Sequence, residues 1–202
     1  MDLFIEQLKQ TSLLEWAGTG SGLAAVYLSI KQKTLAWPLF ILCYGIYVYL
    51  SFQASLTGAM VLNAVFIPIA IYGWWSWARN SSSPDKAESE DHKIKNMSWP
   101  VRFVTIGIVL GFSVVLSGIN QKWIGGAMPH LDAFATAASL TAQWMLTRKY
   151  IENWIMWIIA DLTFVVVWGM QGYWVTVAMF LIFTGLATSG LLQWQKETGD
   201  AR

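Results

Sequence analysis

Cysteine, histidine and charged side chains are all scarce in this sequence of 202 residues. Only 12% of the residues are charged, about half the share of a typical soluble domain, so a soluble globule is not expected. The single cysteine, Cys43, excludes a disulfide within the chain. Both histidines, His92 and His130, lie outside the apolar stretches, so no metal site with histidine ligands is expected within the fold. The net charge of +1 gives no indication of nucleic-acid binding.

Motifs of nucleotide-using and hydrolytic enzymes are missing as well. The sequence contains no phosphate-binding loop, no glycine-rich dinucleotide fingerprint and no nucleophile elbow. We therefore expect neither an enzyme nor a bound cofactor, and ATP-driven pumping by this chain alone is excluded. A retinal protein needs a lysine in its last membrane helix, and the last apolar stretch, residues 174–194, has none.

Long apolar runs are what the sequence contains instead, since 55% of the chain is apolar. Charges and turn residues separate seven such stretches, and each is close to the roughly 20 residues that a helix needs to cross about 30 Å of hydrocarbon. The sequence therefore predicts an all-α membrane protein with seven transmembrane helices. The seven stretches are residues 13–30, 34–52, 58–77, 103–119, 131–147, 154–170 and 174–194.

The remaining segments are too short to fold by themselves. Residues 1–13 form an N-terminal segment with acidic residues near its start, which is the wrong charge for a cleavable signal peptide. Residues 78–100 contain a run rich in Ser, Asp, Lys and Glu and are predicted to be a mobile linker. Residues 101–130 hold a connecting helix and an outer loop, and residues 195–202 are a C-terminal tail.

Lysine and arginine are distributed unevenly between the two sides that seven spans would define. Lys9 and Lys122 lie on one side, and the other 11 of the 13 basic residues lie on the opposite side. Basic residues in short connections are enriched on the cytoplasmic side. We therefore predict an outside N-terminus and a cytoplasmic C-terminus.

The sequence also aligns with itself, without a gap, at an offset of 117 residues. Eleven of the 64 aligned pairs are identical, and they include Trp37 with Trp154 and Trp77 with Trp194. One helix connects the two units, so both have the same orientation. This predicts two parallel three-helix repeats joined by one connecting helix. Chance coincidence of Trp and Gly in similar membrane segments is the alternative. The units span residues 14–77 and 131–194.

Asp161 stands out because it lies in the middle of the sixth apolar stretch, where the spans contain no Lys, Arg or His. Such a charge costs on the order of 2.5 to 3.5 kcal/mol in a membrane helix and normally faces the bundle interior or a water-filled cavity. Two interpretations remain open. Asp161 is either a hydrogen-bonded or protonated structural carboxyl, or a group that meets a cation from outside the chain.

Two tryptophans share the helix face of this carboxylate. Trp154 and Trp157 lie about 20° and 40° from Asp161 around the helix, an arrangement suited to stacking on a flat aromatic cation. Location in the interfacial aromatic belt is the alternative for such residues. Two amides inside apolar stretches, Asn63 and Gln143, either bind a ligand or join helices by hydrogen bonds.

With these residues the sequence resembles the nicotinamide riboside transporter family (PnuC type) of bacterial vitamin carriers. The clearest match is a Trp-x-x-Trp-x-x-x-Asn/Asp pattern, formed here by Trp154, Trp157 and Asp161. The resemblance covers nearly the whole chain. Further matches are AWP at 36–38, IYGWWSW at 71–77 and TAQWMLTRKYIENW at 141–154.

The resemblance implies a multi-pass transporter of the bacterial plasma (inner) membrane that forms a homotrimer with one substrate path in each protomer. It also implies that Trp154, Trp157 and Asp161 line the substrate site, with polar contacts from Gln143 and from Asn63, where relatives tend to carry Gln. Family members for nicotinamide riboside, thiamine and riboflavin are known. The first two carry a fixed positive charge that suits Asp161, which ranks neutral riboflavin third.

The function we predict is facilitated uptake of a small cationic aromatic vitamin, in the first place nicotinamide riboside. A cytoplasmic vitamin kinase would trap the product by phosphorylation. A thiamine transporter and a proton-coupled vitamin carrier are the alternatives within transport. A receptor or assembly factor, in which the polar residues only tie helices together, is the alternative outside transport.

Overall fold

The computed structural model describes residues 2–81, 93–124 and 128–199. In these ranges the chain forms eight α-helices and one π-helical turn and no strand, which confirms the predicted all-helical class. The helices are α1 Asp2–Gln10, α2 Leu13–Ile30, α3 Ala36–Gln53, α4 Thr57–Ser81, α5 Trp99–Ile119, α6 Pro129–Thr147, α7 Glu152–Met170 and α8 Trp174–Gly199, and the π-helical turn is Asn120–Ile124.

Five of the helices, α3, α4, α5, α7 and α8, are long and apolar enough to cross a membrane. The other two predicted spans, α2 and α6, fall short in hydropathy, because α2 contains Glu15 with several Gly and Ser residues and α6 contains His130, Asp132 and Gln143. Both are also rich in small residues, mainly Ala with Gly in α2. Both are packed between neighbouring helices, and α6 in particular contacts α4, α5 and α7. Small residues allow such close helix packing, and a shielded helix needs fewer large apolar side chains.

Six helices pack in a closed ring in the order α2, α3, α4, α6, α7, α8, with α8 returning to α2. The fifth helix, α5, lies outside this ring against α6. In a ring of this order, α3 lies opposite α7. Side chains of these two helices that point inward therefore approach the same interior.

The turns between ring helices repeat at the offset of 117 residues. Four described residues have a positive φ: Gln32 and Lys149 at 53° and 55°, and Ser55 and Gly172 at 57° and 80°. Each pair is separated by 117 residues. A left-handed residue after a helix lets the following N–H bond to an unsatisfied carbonyl of the last turn. The residues that follow make these bonds, namely Lys33 N to Leu28 O, Tyr150 N to Met145 O, Leu56 N to Ser51 O and Tyr173 N to Trp168 O.

The N-terminal segment forms α1, a helix that the sequence analysis did not predict, and packs against α8. Gln7 connects it to the turn before α8. Its Nε2 donates to Gly172 O at 2.9 Å, and its Oε1 accepts from Val175 N at 3.2 Å. One amide therefore satisfies backbone groups on both sides of that turn.

Residues 93–98, which we call the strap, pack against the turn between α6 and α7. Lys95 exchanges backbone hydrogen bonds with Lys149 and Ile151 at 3.1 and 3.0 Å. The Glu152 carboxylate accepts from Met97 N at 3.0 Å and pairs with Arg102 at 2.6 Å. The described end of the predicted mobile linker is therefore fixed by the fold, and residues 82–92 of that linker lie outside the described residues.

Candidate functional site

Asp161 is buried in the middle of α7, with 4% of its surface exposed. In the part of the chain that the structure describes, no charged group and no hydrogen-bond donor acts on its carboxylate. An ionised carboxylate buried without a partner is costly. Asp161 is therefore either protonated in this conformation or a group that meets a partner from outside the described chain.

An aromatic run begins one helical turn from this carboxylate and crosses the ring. The half-buried Trp157 lies with its ring centroid 6.3 Å from that of Phe66 on α4. Phe66 stacks on Tyr44 of α3 at 4.8 Å, and Tyr44 stacks on Phe40 at 5.7 Å. At the offset of 117 residues Tyr44 is the counterpart of Asp161, and Phe40 is the counterpart of Trp157. The first unit thus has rings where the second has a carboxylate and an indole.

Trp154 has only 1% of its surface exposed. Its ring makes an edge contact with Trp194 at 5.3 Å, and a Cβ added at Gly190 would lie 2.7 Å from its ring carbons. Trp37 has the same environment in the first unit, where it packs edge-on against Trp77 at 5.2 Å. In this conformation Trp154 is enclosed by protein, so stacking on a ligand would require α7 and α8 to move apart.

Gln143 is fully buried on α6, and neither of its side-chain amide atoms has a hydrogen-bond partner among the described residues. Asn153 Oδ1 is also buried without a partner among the described residues, while its Nδ2 donates to Tyr150 O at 2.6 Å. The Nε1 atoms of Trp37 and Trp154 also lack partners. Buried polar atoms normally have partners, so these groups are candidates to bind water or a polar ligand.

Asn63 lies on the inward stripe of α4, one turn before Phe66. It is half-buried, and its Nδ2 donates to the Ala59 carbonyl of its own helix at 2.8 Å. That bond leaves its carbonyl oxygen for another partner, since an amide side chain has both donor and acceptor groups. Asn63 is therefore placed on the face that carries the aromatic run.

Two hollows of about 380 and 400 Å³ lie on the outside of the ring. Apolar residues of α1 and α8 line the first, and Leu14 with residues of α3 lines the second. Neither hollow borders Asp161 or Trp157. Only 4% of Asp161 is exposed in this conformation, so a ligand that binds its carboxylate would require neighbouring helices to move.

Residues 12–196 match the sequence model of a family described as nicotinamide mononucleotide transporter. This chain belongs to the nicotinamide mononucleotide transporter family. It is 27% identical to the nicotinamide riboside transporter PnuC of Escherichia coli, over 91% of this chain and 85% of that protein. It is 24% identical to the riboflavin/roseoflavin transporter RibM of Streptomyces davaonensis, over 89% of this chain and 83% of that protein.

A solved structure also resembles this member of the nicotinamide mononucleotide transporter family. The crystal structure of the vitamin B3 transporter PnuC matches with a TM-score of 0.77 at 19% identity, over 98% of this chain and 89% of that chain. The two proteins therefore share a fold. The family and the relatives are transporters and not enzymes, and the resemblance found in the sequence is confirmed.

Asn153 and Tyr44 were not among the site residues predicted from the sequence. Asn153 directly precedes Trp154, and Tyr44 is separated from Asp161 by the repeat offset. The offset was sufficient to identify Tyr44. No signal in the sequence identified Asn153, because an amide at the start of a helix is ordinarily a capping residue.

Proposed function

We propose that this chain is a membrane carrier for a water-soluble vitamin, with nicotinamide riboside as the first candidate substrate. The observation that carries the proposal is Asp161, a buried carboxylate without a cation from the described chain, one turn from Trp157. A pyridinium ring would supply the missing positive charge to Asp161 and stack on Trp157. The names of the relatives, nicotinamide riboside and riboflavin transporters, support the vitamin class.

The other proposed contacts follow from the placement of the polar groups. Gln143 and Asn63 would bond hydroxyl or amide groups of the ligand, since both have unused polar atoms. Trp154 would join the stacking surface once α7 and α8 part. Thiamine also has a fixed positive ring and remains the second candidate. Riboflavin is neutral and would gain less from Asp161.

The proposed membrane arrangement has seven spans, α2 to α8, in a three-plus-one-plus-three order. The paired left-handed turns and the equivalent indole packing of Trp37 and Trp154 support two parallel units. The distribution of basic residues supports an outside N-terminus and a cytoplasmic C-terminus in the bacterial inner membrane. A homotrimer is proposed from family resemblance.

The proposed transport is downhill, with net uptake sustained by a cytoplasmic kinase that phosphorylates the vitamin. The described spans show no second buried acidic group close to Asp161 that would bind a coupling ion. A proton-coupled carrier, in which Asp161 accepts the proton, is the alternative mechanism. The two differ in their response to a pH gradient.

Counterflow of radiolabelled nicotinamide riboside into liposomes tests the proposal. We expect exchange by the wild type without a pH gradient, loss of exchange in Asp161→Ala and a weaker ligand affinity in Asp161→Asn. Asp132→Asn is the matched control, because it removes a carboxylate at the outer end of α6 and leaves the site intact. Unchanged affinity in Asp161→Ala would reject the role of this residue. Accumulation that follows the pH gradient would favour proton coupling, and no counterflow of any vitamin would favour a receptor.

A further inference from the structure

Polar bonds between the two units close one end of the ring. Lys149 Nζ donates to Gln32 Oε1 at 3.0 Å, and Gln32 Nε2 donates to Glu197 Oε2 at 2.6 Å. Glu197 Oε1 accepts a further bond from Gln193 Nε2 at 3.1 Å. We call these four residues the clasp. It joins the α2–α3 turn of the first unit to the α6–α7 turn and α8 of the second.

The clasp lies on the axis that relates the two units. Gln32 and Lys149 are counterparts at the offset of 117 residues, and two equivalent residues touch each other only where they meet their symmetry axis. Both hold a left-handed backbone conformation, which is unfavourable for residues other than glycine. Lys149 is 7% exposed, and its Nζ lies 4.8 Å from the centroid of the Trp77 ring. Burial of a cation costs free energy, so a lysine is not expected at this position if the position serves packing alone.

Two buried indole bonds lie directly beneath the clasp. Trp77 Nε1 donates to Thr147 O at 3.2 Å, and Trp194 Nε1 donates to Ile30 O at 3.0 Å. The two donors are counterparts at the repeat offset, and so are the two acceptors. The last helix of each unit therefore holds the last turn of the first helix of the other unit.

The opposite end of the ring has fewer polar contacts between the two repeats. Among the described residues, the side-chain hydrogen bonds between the repeats in that half go to sulfur, from Thr19 and Tyr47 to Met179 Sδ at 3.7 and 3.9 Å. Gln7 of α1, which precedes the first repeat, also bonds to Gly172 O and Val175 N at 2.9 and 3.2 Å. Methionine sulfur is a weak acceptor. Among the described residues, the hydrogen bonds to nitrogen or oxygen atoms that join the two repeats lie at the clasp end, and at the opposite end such bonds come from α1 alone. The two ends of the ring are therefore closed by different kinds of contact.

We propose that the clasp is the inner gate of the carrier. This inference rests on the proposed function and on the predicted orientation, which places the clasp at the cytoplasmic end. The contact between Lys149 and Gln32 is closed while the site is accessible from outside. It opens, together with the indole bonds beneath it, to release the ligand to the cytoplasm. Alternating access of this kind needs one end of the ring to part while the other closes.

Reversible cross-linking tests the gate. In a Cys43→Ser background, Gln32→Cys and Lys149→Cys are joined by a short bifunctional thiosulfonate, and nicotinamide riboside counterflow is measured before and after reduction. We expect counterflow to stop on cross-linking and to return with reductant. The control joins Lys95→Cys to Tyr150→Cys, a pair that links the strap to the same turn without crossing the axis. Its counterflow should be unchanged.

Full counterflow with the clasp pair completely cross-linked would overturn the gate. Failure of the wild type to exchange any vitamin would instead overturn the proposed function, so the two failures are distinguishable. The comparison uses the same protein before and after cross-linking, and misfolding of the double variant is therefore detected at the first step.

A milder variant keeps the gate testable if the cysteine pair does not fold. Glu197 is exposed, and Glu197→Gln removes its charge from the clasp without opening the core. Weakening the closed inner end should reduce the outward-facing population and raise the external half-saturation concentration about two- to fivefold. Glu6→Gln, an exposed change in α1, is the matched control. An unchanged value in Glu197→Gln would contradict the gate.

Discussion

Lys149 combines burial with a positive charge, and this combination has a measurable effect on stability. Burial lowers the pKa of Lys149 to about 8 from 10.5, and the negative charge of Glu197 opposes the shift. The unfolded chain therefore keeps the lysine proton up to a higher pH than the folded chain. Because the unfolded state then binds more protons, the free energy of unfolding should rise between pH 8 and pH 10.5.

Lys149→Met isolates that contribution, since methionine keeps an apolar stem beside Trp77 and cannot titrate. Thermal unfolding in detergent from pH 7 to pH 11 should show the wild type gaining stability relative to the variant as pH rises through that interval. Lys33→Met, an exposed change in the turn after α2, is the control, and its stability should change with pH in the same way as that of the wild type. Parallel curves for the wild type and Lys149→Met would show that the lysine titrates normally.

Some features of the candidate site could be predicted from the sequence and others could not. Asp161 could be identified because an acidic residue amid apolar ones needs an explanation, and Trp157 because helical spacing places it on the same face. The enclosure of Trp154 could not be predicted, since it depends on Gly190 from α8. The unpartnered atoms of Asn153 and Gln143 were equally inaccessible, because lack of a partner is a property of the surrounding helices.

The two indole bonds between units are the most specific connections between helices. Removing the Trp77 N–H leaves the buried Thr147 carbonyl at the end of α6 without this donor, which costs about 1–3 kcal/mol. The Ile30 carbonyl at the end of α2 keeps a longer bond from Gln193 Nε2 at 3.5 Å when Trp194 is changed. Trp77→Phe and Trp194→Phe should each lower the thermal unfolding temperature, and Trp77→Phe by more, because it also alters the ring that contacts Lys149. Trp75→Phe is the control, since Trp75 is 55% exposed. An unchanged unfolding temperature in Trp77→Phe, or a larger loss in Trp194→Phe, would contradict this expectation.

Whole helices were predicted with unequal success, for physical reasons. The apolar stretches located α2 to α8 because each of these helices contains a long, mainly apolar run in the sequence. The helix α1 was missed because it is short and amphipathic, and its position depends on the amide of Gln7. The strap was missed for a similar reason. Its polar composition indicates solvation, whereas its fixed conformation comes from Glu152 and the α6–α7 turn.

The membrane topology of the whole molecule depends on whether α2 and α6 cross the membrane. Five helices meet the length and hydropathy of a span, and these two do not. They are the first helices of the two units, and each packs between helices of both units. If α2 and α6 did not cross the bilayer, they would lie at a different depth from the spanning helices that pack beside them in the ring. The ring therefore favours seven spans.

Labelling of single cysteines in a Cys43→Ser background tests whether α2 and α6 cross the membrane. A membrane-impermeant maleimide should label Thr11→Cys and Gln121→Cys in intact cells. It should label Lys33→Cys and Arg148→Cys only after permeabilisation, because α2 separates the first of these sites from Thr11 and α6 separates the second from Gln121. Gln195→Cys, an exposed position near the C-terminal end of α8 on the side with most of the basic residues, is the control for the cytoplasmic side. Labelling of Thr11→Cys and Lys33→Cys from the same side would show that α2 does not cross. It would also remove the basis for two parallel units, since their first helices would then differ in orientation.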